Sequence, residues 1–246
     1  MMKILVSAIV LATTMSSFNS LAAPESYGVL FLDRSSSMNT LRPDGQSRCS
    51  FSKQQAVQKV SKFFLDATIN GQQLNVKTFA SGGQIQSLTN GFVGFNAAMM
   101  ALYQLDPEGC SGLTALAQAM CDGADELRAN YSTEAANGAL LRVYGSTDGG
   151  ENDSPVSSCG GSNWQTSVTS KYLFELPPVQ FNATIYTGTV QNILANKDKM
   201  YVLDVSSASQ SVSSTPTFQF LKQLSIDTGG TYEEISDSDG GDPGDW

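Results

Sequence analysis

The chain has 246 residues, 41% apolar and only 15% charged, so it can bury roughly 70% of its unfolded surface and is too apolar for a disordered chain. Its 14 basic and 23 acidic residues leave a net charge of −9, which gives no electrostatic footprint for nucleic acid phosphates and makes an anionic membrane a poor partner. Histidine is absent, which excludes Ser-His-Asp and Cys-His nucleophile systems and a histidine-held zinc, so any metal must be held by oxygen or thiolate.

Residues 1–22 read as a secretory signal: Lys3 at the start, an apolar stretch over 4–12, and the small-x-small pattern Ser20-Leu21-Ala22 before the expected cut. A membrane anchor would need about 18 continuous apolar residues. Thr13, Thr14, Ser16 and Ser17 interrupt the stretch well before that, and nothing downstream is long enough to be a transmembrane segment. The expected mature chain is therefore soluble and lies outside the cytosol, in the periplasm or secreted.

Residues 27–32 form an apolar run too short for a helix and rich in β-formers, ending in Asp33; they read as a buried central strand. Residues 52–69 carry Ala56, Val60, Phe63, Phe64 and Ala67 at three- and four-residue spacings and read as an amphipathic helix closed by Asn70-Gly71. Short strands follow at 74–79 and 84–88, then helices at 96–105 and 114–129. A strand is expected at 139–144, running into Gly145-Ser146-Thr147-Asp148-Gly149-Gly150, and another at 200–205. A helix at 216–226 stopped by Gly229-Gly230, with a last strand at 231–235, completes the order. Residues 164–199 resist assignment, because 181–186 fits either a sheet strand or an inserted hairpin. Strands alternating with helices imply an α/β, Rossmann-like, doubly wound fold: a mostly parallel sheet with helices on both faces, in one domain over 23–236.

In such a fold the carboxyl ends of the parallel strands form one rim, where ligands usually bind. Three segments fall on it: Asp33-Arg34-Ser35-Ser36-Ser37 after the first strand, Thr114 at a helix start, and Thr147-Asp148-Gly149 after a later strand. Singly, each fits a turn or a helix cap. Together, Asp33, Ser35, Ser37, Thr114 and Asp148 offer two carboxylates and three hydroxyls. Such hard oxygen donors suit Mg2+ or Mn2+, or less tightly Ca2+.

In these residues the chain resembles the von Willebrand factor type A (VWA) domain, whose metal-ion-dependent adhesion site (MIDAS) is built from the same three segments. The matching stretches are "LFLDRSSSM", "GLTALAQAM" and "VYGSTDGG", and "FLKQLSIDTGGTYEEI" resembles that family's last helix-to-strand passage. The likeness spans about residues 27–236. It implies a divalent cation ligated by Asp33, Ser35, Ser37, Thr114 and Asp148, and a protein partner that completes the shell with an Asp or Glu carboxylate. Two departures stand out. Ser36 replaces the Gly common between the serines, and residues 236–246, "SDSDGGDPGDW", have no apolar stripe for the family's closing helix. Residues 237–246 read instead as an acidic, disordered tail.

Cys49, Cys110, Cys121 and Cys159 form an even set, read as two disulfides in an oxidising compartment; a four-thiolate zinc site would use close C-x2-C pairs, and none occurs. Three connectivities are open. Cys110–Cys159 with Cys49–Cys121 is the expected pairing, because the first bridge would tie two loops of the site together. For function, binding of an acidic partner is the first expectation. A scaffold or envelope-assembly module with a structural metal is the second, and a metal-assisted hydrolase the third, weakened by the lack of an acid-base pair or a Gly-x-Ser-x-Gly elbow.

Overall fold

The structure is a computed structural model and describes residues 24–188 and 215–238. The expected signal segment, the expected strand at 200–205 and residues 239–246 lie outside the described residues. Among the described residues six strands make one sheet: β1 (Ser26–Asp33), β2 (Gln72–Phe79), β3 (Gln86–Ser87), β4 (Leu140–Thr147), β5 (Gln180–Thr187) and β6 (Tyr232–Ser236). Their order is β3-β2-β1-β4-β5-β6. Among the described strands only the β2–β3 pair is antiparallel. The central place of β1 follows from its composition: every residue is buried, which only a strand covered on both faces tolerates.

The alternation along β1 shows which helix covers which face. Tyr27, Val29 and Phe31 join the core under α3 (Leu116–Ala136), α4 (Trp164–Leu173) and α5 (Pro216–Asp227). Leu30 and Leu32 point the other way, into the core under α1 (Arg48–Leu65) and α2 (Phe95–Gln104). The α3 face is tight: a methyl group at Gly123 would stand 2.6 Å from Phe31 Cε2 and 3.2 Å from Val143 Cγ2. The doubly wound α/β expectation therefore holds, and residues 181–186 belong to a sheet strand paired in parallel with both β4 and β6.

Several boundaries move, for local reasons. α1 starts four residues before the expected position, because the Ser47 side chain caps it by accepting from Ser50 N at 3.0 Å. It ends at Leu65, where the Asp66 carboxylate takes the Thr68 N–H at 2.9 Å and turns the chain out of the helix. Ile69, expected as the last residue of the helix, is buried in the turn beyond it. α4 escaped the sequence reading because it buries only Val168 and Tyr172, too few apolar positions to announce a helix.

The disulfides correct the expected connectivity. Cys49 pairs with Cys110 and Cys121 with Cys159, in place of Cys110–Cys159 and Cys49–Cys121. The reason is the sheet. Cys49 opens α1 on one face and Cys121 lies in α3 on the other, so a bridge between them would have to cross a continuous layer of strands. Cys49 and Cys110 instead meet in a small third cluster with Met38, Phe51, Tyr186 and Ile235.

Candidate metal centre

The carboxyl ends of β1 and β4 adjoin through their parallel pairing, which brings Asp33 and Asp148 to one place. Asp33 is the last residue of β1 and is fully buried. Its Oδ1 accepts from Ser35 N at 2.7 Å and its Oδ2 from the Thr147 hydroxyl at 2.5 Å. A short 3-10 turn over Ser36–Asn39 then lays the Ser35 and Ser37 hydroxyls 3.0 Å apart, and Ser37 donates to Asp148 Oδ1 at 2.6 Å. Thr114 joins them: a methyl group at Gly149 would stand 3.4 Å from Thr114 Oγ1 and 3.5 Å from Ser37 Oγ, so both hydroxyls converge beside the Gly149 backbone. All five sequence-derived residues therefore come together. Ser37 is exposed while the other four are buried, which opens the cluster to solvent on one side.

Two neighbouring loops fix these donors. Ser36 N donates to Gly112 O at 2.9 Å, and Ser111 N to Arg34 O at 2.6 Å, locking the β1 turn to the segment before Thr114. Gly112 has to be glycine: its φ is +89°, and a Cβ would stand 2.6 Å from Ser81 Oγ. After β4, Asn152 Oδ1 accepts from Thr114 N at 2.8 Å and Asn152 N donates to Thr114 O at 3.0 Å. Glu151 accepts from Ala117 N at 2.6 Å in the first turn of α3, a negative charge where the helix dipole favours one. It also accepts from Ser154 N and the Ser154 hydroxyl, both at 2.6 Å.

The electrostatics of the cluster suit a cation. Burial, and then the negative charge of Asp148, push the Asp33 carboxyl up to about 7, against the opposing bonds from Thr147 and Ser35. Two buried carboxylates held this close by hydroxyl donors repel each other, and a divalent ion would relieve that repulsion. The donor set is all oxygen, which is the chemistry of Mg2+, Mn2+ and Ca2+ rather than of a thiolate-selecting metal. Among the described residues no group of three or more histidine, cysteine or acidic side chains gathers to hold a metal, so an ion at this cluster would depend on the hydroxyls beside Asp33 and Asp148.

Sequence reasoning missed two residues of the site. Arg48, the first residue of α1, donates from Nη1 to Asp148 Oδ2 at 2.8 Å. Asp237, read from sequence as the start of a disordered tail, is buried just past β6 and accepts from Arg48 Nε and Nη2 at 2.8 Å each. No spacing could have found them, since Arg48 and Asp237 are 189 positions apart.

No family model matches the sequence, and neither does any curated protein. Solved structures do resemble it. BatB from Bacteroides thetaiotaomicron is 15% identical with a TM-score of 0.52, over 87% of this chain and 91% of that one. The PilB minor pilin of Streptococcus sanguinis is 13% identical with a TM-score of 0.51, over 87% of this chain and 57% of the pilin, and its D319A mutant is 11% identical with a TM-score of 0.52. The fold is VWA-like. At these identities the likeness is one of fold, and the VWA-like sheet places the Asp33, Thr114 and Asp148 segments on the rim described above. Just past β6, Asp237 forms a buried ion pair with Arg48.

Proposed function

We propose that the chain is an exported VWA-like interaction module that holds a divalent cation at Asp33, Ser35, Ser37, Thr114 and Asp148 and, through it, binds an acidic side chain of a protein partner. One observation carries the reading: two buried carboxylates and three hydroxyls from three separate segments converge at a solvent-facing point on the strand rim. Asp33 and Asp148 would supply the charge, and the hydroxyls of Ser35, Ser37 and Thr114 neutral oxygens. Hydroxyl ligands add little negative charge, so a cation bound there would remain an acceptor for one more anionic oxygen, which a partner's Asp or Glu offers. Thr147 and Ser35 N hold the Asp33 carboxylate in place, and Asn152 holds the Thr114 backbone.

The reading is of binding without bond cleavage. The chain has no histidine, and both carboxylates of the cluster are assigned to the cation, which favours binding over acid-base chemistry at this point. Export is supported by the signal-like residues 1–22 and by two disulfides, which persist in oxidising compartments. Among the described residues no helix is long and apolar enough to cross a membrane.

The test is calorimetric titration of Mg2+ and Mn2+ into wild type and Asp33→Ala, followed by capture of a carboxylate-bearing protein ligand with and without chelator. Saturable metal binding lost in Asp33→Ala, with chelator-sensitive capture, supports the proposal. Capture indifferent to chelator would sink the adhesive role and leave the metal a structural one.

A further inference from the structure

The cluster already contains a cation belonging to the protein. Both oxygens of Asp148 are engaged, Oδ1 by the Ser37 hydroxyl at 2.6 Å and Oδ2 by Arg48 Nη1 at 2.8 Å. The rest of the guanidinium forks onto Asp237, with Nε and Nη2 each 2.8 Å from a carboxylate oxygen. All three residues are buried. Nor can the guanidinium easily swing away. Arg48 adjoins Cys49, which is bridged to Cys110, and Asp237 N donates to Thr187 O at 2.9 Å, so the two ends of the pair are fixed to different elements. A methyl group at Gly188 would stand only 3.0 Å from Arg48 Nη2, which shows how closely the backbone after β5 confines that side.

We propose that Arg48 is a built-in competitor for the cation site, drawing on Asp148, and that Asp237 sets the strength of that competition by offsetting the guanidinium charge. The inference rests on the reading that the five-oxygen cluster takes a divalent ion. Arg48 is a positioning residue, acting on the ion through Asp148. A positive charge one carboxylate away from a divalent ion opposes its binding, and in a poorly screened interior that opposition is large. Asp237 counters it, and it does so for a second cation as well: Arg42 Nη1 lies 4.0 Å from Asp237 Oδ1, with Arg42 stacked 3.5 Å over the Phe51 ring. Asp44 also lies within 3.7 Å of Arg42 Nε, so Arg42 is not balanced by Asp237 alone.

Opposite signs follow for two single variants. Arg48→Gln removes the competing charge and leaves Asp148 and Asp237 both negative, so Mg2+ should bind about ten-fold tighter or better. Asp237→Asn leaves Arg48 turned more fully on Asp148, so Mg2+ should bind about ten-fold weaker. A merely structural pair would weaken binding in both variants alike. The double variant Arg48→Gln/Asp237→Asn removes both charges of the buried pair together, leaving Asp148 for the ion and Arg42 with Asp44, and guards against misfolding of the singles; it should bind Mg2+ at least as tightly as wild type.

The measurement is the Mg2+ dissociation constant by calorimetry at fixed ionic strength, with folding checked by circular dichroism and the Mg2+-induced rise in melting temperature read in parallel. That rise should be larger than wild type in Arg48→Gln and smaller in Asp237→Asn. If wild type binds metal and Arg48→Gln binds it more weakly or equally, the inference is overturned while the metal site stands. Should the single variants fail to fold, weaker binding in the double variant overturns it equally. If wild type binds no metal, both the proposed function and this inference fall.

Discussion

Removing the Cys121–Cys159 bridge should cost stability and loosen the proposed metal centre at the same time. The bridge spans 38 positions of sequence and fastens the loop after β4 to the second turn of α3. In the chain-entropy account a closed loop of that size is worth about 4 kcal/mol. For a domain of this length each kcal/mol moves the melting temperature by about 2–4 °C, so Cys121→Ala/Cys159→Ala should melt about 8–16 °C lower than wild type. The same formula gives the Cys49–Cys110 bridge, with its separation of 61, only a few tenths of a kcal/mol more. Melting alone therefore cannot tell the two bridges apart, and peptide mapping without reductant is the companion assay. It should return Cys121 joined to Cys159 and Cys49 joined to Cys110. The loop released in the variant also carries Glu151 and Asn152, which hold the start of α3 and the Thr114 backbone, so Mg2+ affinity should fall together with stability. A peptide joining Cys110 to Cys159, or a double variant melting within about 2 °C of wild type, would refute the reasoning.

Gly123→Ala should destabilise by about 1–2 kcal/mol, because overpacking outweighs the gain in helix propensity. The new methyl would meet the Phe31 ring at 2.6 Å, and that ring is fully buried and packed edge-on against Phe79; a raised melting temperature would contradict this. Asp122 offers a pH test away from the proposed metal site. Burial, more than its neighbours Asp125 and Glu126, holds its carboxyl above the usual range despite Gln118 and Lys77. The folded state therefore keeps its proton longer than the unfolded state does, so the protonated group favours folding at low pH and that contribution is lost as pH rises through the raised value. Asp122→Asn should be more stable than wild type at pH 7 and should lose this part of the pH dependence, as denaturant titration across pH 4–8 would show.

What could be read from the residue order is what lies close along the chain. The apolar run of β1 and the helical spacings of α1 and α3 are local patterns, and the alternation of strands with helices implies a parallel sheet and hence a rim. Asp33, Ser35 and Ser37 are donors within one turn, and Thr114 and Asp148 follow once the rim is inferred. The final strand pairing of residues 181–186 needed the sheet itself, since an apolar strand has the same period wherever it is inserted.

The cysteine pairing and the Arg48–Asp148–Asp237 chain were decided only by the tertiary structure. Four cysteines are compatible with three pairings on paper, and the choice came from α1 and α3 lying on opposite faces of the sheet. Arg48 is one polar residue ahead of the expected helix until the fold sets it beside two carboxylates, one 100 and the other 189 positions away. Donor chemistry and periodicity are properties of short segments, whereas buried charge balance belongs to the packed interior, because only there do distant residues share a medium too poor in water to screen them.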